Sequence, residues 1–305
     1  MFDNPLVRLA PVRRCTLLVV AMALMVSLAF ASTALAIEPT GAFAVFKQCP
    51  RFTPHVTFCL YSQTEGGEVT IGTSTVPLNA DKKHEIILQG GISENEAEEQ
   101  SFVGALNGET LSKTPQNVPA GLAGLINCEE ISEPVARLAC KLVFENKLTG
   151  VTATTELAKP ASEIGINTSN LVNEEGVALS LPVKVKLDNP LLGSACYIGS
   201  SSSPVTLNLT TGKTSPPPPN TSIHGKLGNL EFLDEFTLVE ITNNTLVDNA
   251  FSAPEASGCG GLLAPVLDPI IDLKLGLPSA AGKNTAIQNN RIREASGENV
   301  IKSEK

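Results

Sequence analysis

The chain has 305 residues, 42% of them hydrophobic, and a formal net charge of −9. That acidity excludes the basic footprint needed for nucleic acid or an anionic membrane surface. The absence of Trp and the presence of only two Tyr remove the usual aromatic platform for stacking on sugars.

Residues 1–36 carry a basic start (Arg8, Arg13, Arg14), an uncharged apolar run from Thr16 to Ala31, and Ala34-Leu35-Ala36 as a small-x-small site. This pattern predicts a signal peptide and a mature chain from Ile37. An uncleaved anchor is the competing reading, since about 20 apolar residues span a bilayer; Ser32 and Thr33 before the site favour cleavage. Removing three Arg and one Asp leaves the mature chain at −11. The most apolar later segment, Leu262 to Leu277, is interrupted by Pro265, Asp268, Pro269, Asp272 and Lys274. No transmembrane helix is therefore expected after cleavage.

Residues 37–115 read as a β region. Ala42–Phe46, Val56–Tyr61, Glu68–Ile71 and His84–Leu88 are short β-rich runs, separated by Gly66-Gly67, Gly72 and Gly90-Gly91. Ser101–Leu106 is a further candidate strand. Glu94, Glu96, Glu98 and Glu99 form an acidic stretch that lacks the Asp/Asn/Gly spacing of a calcium loop and reads as a solvated turn. Residues 116–150 read as a helical insertion. Ser132 is the expected N-cap, Pro134 lies in the first turn, and Val135, Leu138, Ala139, Leu142 and Val143 recur at helical spacing.

Residues 151–305 return to β. Val151–Leu157 alternates, and in Val177–Leu187 the side chains of Val183, Val185 and Leu187 face away from Lys184 and Lys186. Val205, Leu207 and Leu209 alternate with Thr206, Asn208 and Thr210. Leu238 and Ile241 mark another strand. Pro216–Pro219 is a stiff exposed loop, and the polar tail from Gly282 contains a last candidate strand, Thr285–Ile292. Strands with one apolar and one wet face suit an antiparallel β-sandwich. Residues 37–305 are open to reading as a single domain.

Six cysteines follow the signal segment: Cys49, Cys59, Cys128, Cys140, Cys196 and Cys259. An even set in an exported chain reads as three disulfides. The simplest of the possible pairings is sequential, and each bond then requires the chain to reverse. The spacings match no zinc ligand set.

Chemistry is hard to place. His55, His84 and His224 are scattered, and no metal-ligating His pair, nucleophile elbow, phosphate loop or dinucleotide fingerprint occurs. Asp268 and Asp272, or Asp234 and Glu235, are the nearest approach to a paired-carboxylate site. Four Asn-x-Ser/Thr acceptors, at Asn167, Asn208, Asn220 and Asn243, matter only in a eukaryotic secretory pathway. No catalytic residue, metal ligand or cofactor is assigned.

The stretches Phe43-Ala44-Val45-Phe46-Lys47-Gln48-Cys49-Pro50, Gly150–Leu157, Ser215–Pro219 and Ser279–Ala286 resemble an uncharacterised family of secreted proteins of soil actinobacteria. The resemblance implies a bacterial exported protein with idle glycosylation acceptors, and brings no activity with it. The expected function is a non-enzymatic, exported protein of the cell surface or envelope that binds an unknown cell-wall or extracellular ligand. An extracellular hydrolase built from scattered acids or histidines, and a β pore, are the alternatives.

Overall fold

The computed structural model describes residues 38–79, 85–97, 99–119, 132–134, 137, 150–235 and 237–304. The expected signal segment, Cys128, Cys140, His84 and most of the expected helix after Ser132 lie outside them. Within that helix Arg137 donates its N–H to the Glu133 carbonyl at 2.9 Å, a helical contact.

The protein is mainly β, built from two antiparallel seven-stranded sheets. The early strands are β1 (Val56–Ile71), β2 (Ser74–Pro77), β3 (Ile86–Glu94), β4 (Gln100–Gly104) and β5 (Gln116–Asn117). Then come β6 (Thr152–Leu157), β7 (Gly165–Ile166), β8 (Leu179–Asp188), β9 (Tyr197–Ile198) and β10 (Val205–Leu209). The last four are β11 (Asn229–Leu233), β12 (Leu238–Asp248), β13 (Ala256–Ser257) and β14 (Thr285–Ser296). Helices α1 (Thr168–Asn173), α2 (Ala264–Leu275) and α3 (Gly297–Lys302) fill connections and the C-terminal end. The first sheet runs β11-β12-β14-β1-β3-β4, with β2 folded onto β1. The second centres on β8, which pairs with β6, β7, β9 and β10. Strands from both ends of the chain share the first sheet, and Glu38–Lys305 forms one compact unit.

The alternation read in β8 and β10 is the alternation observed. Leu181, Val183 and Leu187 are buried, and Val205 and Leu207 lie opposite Val183 and Leu181. On the other face Lys184 stands 3.4 Å from Glu156 and 4.2 Å from the Tyr197 ring centroid. Burying one face while the other keeps its charges in solvent is what pins the register.

Several expectations are corrected. Ala42–Phe46 is not a strand but part of a 3-10 helix, Gly41–Phe46. Phe43 and Phe46, three apart, fall on one side of the three-residue turn and are both buried. Gly66-Gly67 does not separate two strands: β1 runs through it, with a register shift between Thr64 and Gly66. Gly67 has φ +114°, and a Cβ there would sit 2.0 Å from the Ile287 carbonyl oxygen, so the glycine marks a bulge against β14. Gly90-Gly91 likewise lies inside β3, where a Cβ on Gly90 would meet the Phe102 ring at 2.6 Å. The expected last strand, Thr285–Ile292, is present and runs on to Ser296 as β14, an inner strand between β12 and β1. The proline-interrupted segment after Leu262 forms α2, with Pro265 in its first turn and Gly276 as a left-handed C-cap. No helix among the described residues is long and apolar enough to cross a membrane.

The main core lies between the sheets and joins Ile92, Phe102, Val183, Leu209 and Ile271. A second cluster of Phe43, Phe46, Cys59, Leu238, Ala295 and Val300 covers the outer face of the first sheet at one end. Two disulfides tie these layers. Cys49–Cys59 holds the 3-10 segment to β1, and Cys196–Cys259 holds the loop before β9 to the residues after β13, with Cα separations of 5.5 and 4.1 Å. Arg51 pairs with Glu304, so both ends of the described chain are fastened to the same side. Asp248 of β12 accepts the Asn208 N–H of β10 at 2.7 Å, and a bridge joins Thr210 to Val247; these contacts draw the sheets together along one edge.

Candidate functional site

Between the sheets lies a cavity of about 100 Å³. Its floor is the apolar face of β8: Leu179, Leu181, Val183, Val185 and Leu187. Its roof is different. Ser62 and Thr64 of β1 and Gln288 and Asn290 of β14 bring polar side chains onto the inner face. Those groups largely satisfy one another, as buried polar groups must. Thr64 Oγ1 donates to Asn290 Oδ1 at 2.9 Å, and Asn290 Nδ2 donates to the Gln288 carbonyl at 3.2 Å. Asn79 donates its backbone N–H to Gln116 Oε1 at 2.6 Å and its Nδ2 to the Thr64 carbonyl at 3.3 Å. Asn79 Oδ1 is buried and has no partner. Among the described residues no Lys, Arg, His, Asp or Glu lines this cavity.

A smaller space abuts it. Ser62, Leu88, Leu179 and Leu246 line both, and Glu294 lines the smaller one together with Thr168 and Leu171. Beyond it, with Ile166 and Asn167 as shared wall, is a polar cleft of about 520 Å³ lined by Glu94, Glu99, Gln100, Ser101 and Ser169. The cleft separates the β3–β4 hairpin from the start of α1. One clasp crosses it: Gln100 Nε2 donates to Thr168 Oγ1, and the Thr168 N–H donates to Gln100 Oε1, each at 2.9 Å.

Glu294 sits where these spaces meet. It follows Gln288, Asn290 and Ile292 along the inner face of β14 and pairs in register with Leu60 of β1 and Val239 of β12. The second core cluster backs the sheet at this point, and Glu294 itself is half-buried. Burial, and after it the nearby Glu94 carboxylate, push the Glu294 carboxyl up to about 7. No hydrogen-bond donor or cation meets that carboxylate among the described residues. Sequence reading overlooks Glu294 because a Glu near the end of a polar strand reads as solvent-facing. The signal that marks it is its even spacing from Ala286 and Ile292, which puts it on the buried face.

The residues singled out from sequence go elsewhere. Asp268 and Asp272 lie one turn apart on α2 and serve the backbone. Asp268 accepts from the N–H groups of Gly258 and Cys259 at 3.0 and 2.8 Å, and Asp272 from that of Ala256 at 2.7 Å. Asp234 and Glu235 are two left-handed residues in the exposed turn between β11 and β12. His55 and His224 are exposed, and His224 Nδ1 lies 2.7 Å from the Gly225 carbonyl oxygen. Of the acidic stretch, Glu94 and Glu99 line the polar cleft and Glu96 is exposed outside it. Among the described residues no group of three His, Cys, Asp or Glu is placed to hold a metal ion. No protein-family model matches the chain, and no curated protein or solved structure matches it.

Proposed function

We propose that this is an exported, non-enzymatic binding protein of the cell surface or envelope that holds a small apolar ligand between its two sheets. The observation that supports this is the uncharged cavity over the β8 face. Ligand pockets are apolar with a few convergent polar groups, and Thr64, Gln116 and Asn290 are such groups. One water takes about 10–15 Å³ on this measure of volume, so there is room for roughly eight, the bulk of a medium-length alkyl chain. The test is titration with the neutral fluorophore N-phenylnaphthylamine. Saturable enhancement that is lost in Leu181→Trp, which fills the cavity, supports the reading; an unsaturable signal, or one unchanged by the substitution, overturns it. Retention on washed cell walls at high salt tests the surface location.

A second reading, an extracellular hydrolase, draws on Glu294 and Glu94. A carboxyl raised in pKa with a second carboxyl nearby is the acid–base arrangement of glycoside hydrolysis. A glycoside panel on wild type and Glu294→Gln separates the two readings, since hydrolysis abolished by the substitution would establish this one.

A further inference from the structure

Resting on the binding reading above, we infer that the ligand is a cationic amphiphile, in its simplest form a primary alkylamine. Its aliphatic chain lies in the inter-sheet cavity and its ammonium lies between Glu294 and Glu94.

Three observations converge on this. First, the spaces are contiguous by their shared walls. Ser62 and Leu179 belong to both the cavity and the Glu294 space, while Ile166 and Asn167 belong to both the Glu294 space and the cleft. A chain laid in the cavity and ending at Ser62 and Leu179 brings its head up to the space that Glu294 lines, with the cleft next to it. Second, the charge along this path has one sign. Glu94, Glu99 and Glu294 line it, and among the described residues no Lys, Arg or His does. A carboxylate head would add a third negative charge beside Glu94 and Glu294. A neutral head would leave their mutual repulsion in place, whereas an ammonium offsets it. Third, Glu294 is a half-buried acid that no cation or hydrogen-bond donor meets among the described residues. A protein that needed only a filled core would place an apolar side chain there, as it does at Ile292 two residues earlier, because an unpaired buried charge costs free energy. Glu99 is less free to act: one of its carboxylate oxygens already accepts from Asn95 Nδ2 at 2.8 Å. The head is accordingly assigned to the Glu294–Glu94 pair.

The probes are n-octylamine, n-octanol and octanoate, which share a chain and differ in head charge. Calorimetric titration of the oxidised protein is run at about pH 8, above the value near 7 to which the Glu294 carboxyl is raised. The expected order is amine, then alcohol, then acid, with about tenfold between amine and alcohol. In Glu294→Gln the amine and the alcohol bind alike, and in Glu94→Gln the amine's advantage shrinks. Glu96→Gln, exposed and outside the cleft, retains the full advantage and rules out general attraction to an acidic surface. If wild type binds alcohol as tightly as amine, prefers octanoate, or keeps its amine preference in Glu294→Gln, the head-group assignment is overturned while the apolar cavity remains a binding site. If none of the three binds, the binding reading itself fails.

Discussion

Replacing Glu294 with Gln should stabilise the protein, and only above acidic pH. Gln keeps the shape of the protonated carboxyl and removes the charge that burial opposes. In the folded chain this carboxyl ionises near 7, in the unfolded chain near the usual 4.5. Between those values the unfolded chain binds fewer protons than the folded one, so this group's contribution to stability falls as pH rises and is constant above about 7. At about 1.4 kcal/mol per pH unit, the full loss is ~3 kcal/mol. Asp248 and Asp272 are raised by burial too, and they contribute slopes of the same sign at lower pH. The comparison of wild type with Glu294→Gln cancels them. The assay is urea denaturation of both proteins, disulfides intact, from about pH 4 to about pH 9. The substitution should be nearly silent at the acid end and worth ~3 kcal/mol at the alkaline end. Parallel profiles would show that Glu294 is solvated or paired, and would remove the physical basis for placing a ligand's charge beside it.

Three further variants test the frame around the cavity. Replacing Cys196 and Cys259 with Ala opens a 63-residue loop, which on loop-closure entropy costs about 4 kcal/mol; the same change at Cys49 and Cys59, 10 residues apart, should cost about 3 kcal/mol. Equal losses from the two would argue that strain or residual structure outweighs loop length. Asp268→Ala removes an acceptor from two part-buried backbone N–H groups, at Gly258 and Cys259. It should lower stability by roughly 2–4 kcal/mol, measured as a shift in the urea midpoint without a change in slope. An unchanged midpoint would mean that water replaces the carboxylate and that α2 does not hold this segment.

Much of the β architecture was legible in the chain because it depends on a local period. Where polar and apolar residues alternate, as in Val205–Leu209 and around Val183–Leu187, the strand and its buried face follow directly. The same rule misled where glycine stood in for packing rather than for turning. Gly67 and Gly90 admit a neighbouring carbonyl and the Phe102 ring, and only the partner strand reveals that. The helix α2 was hidden by its prolines, one of which sits in the first turn where its missing N–H costs nothing.

The mainly β fold, the residues that face inward along the regular strands and the number of cysteines free to bridge can all be read along the chain. Periodicity and composition are properties of neighbours along the chain, so no tertiary information is needed to read them. It took the folded arrangement to make the tail an inner strand beside β1, to join Cys49 to Cys59 and Cys196 to Cys259, and to turn Asp268 to the backbone rather than to chemistry. It alone placed Glu294 against a cavity, far in sequence from Glu94. Burial and charge–charge proximity depend on which strands are neighbours in space, and antiparallel pairing sets residues more than two hundred positions apart, such as Leu60 and Glu294, side by side.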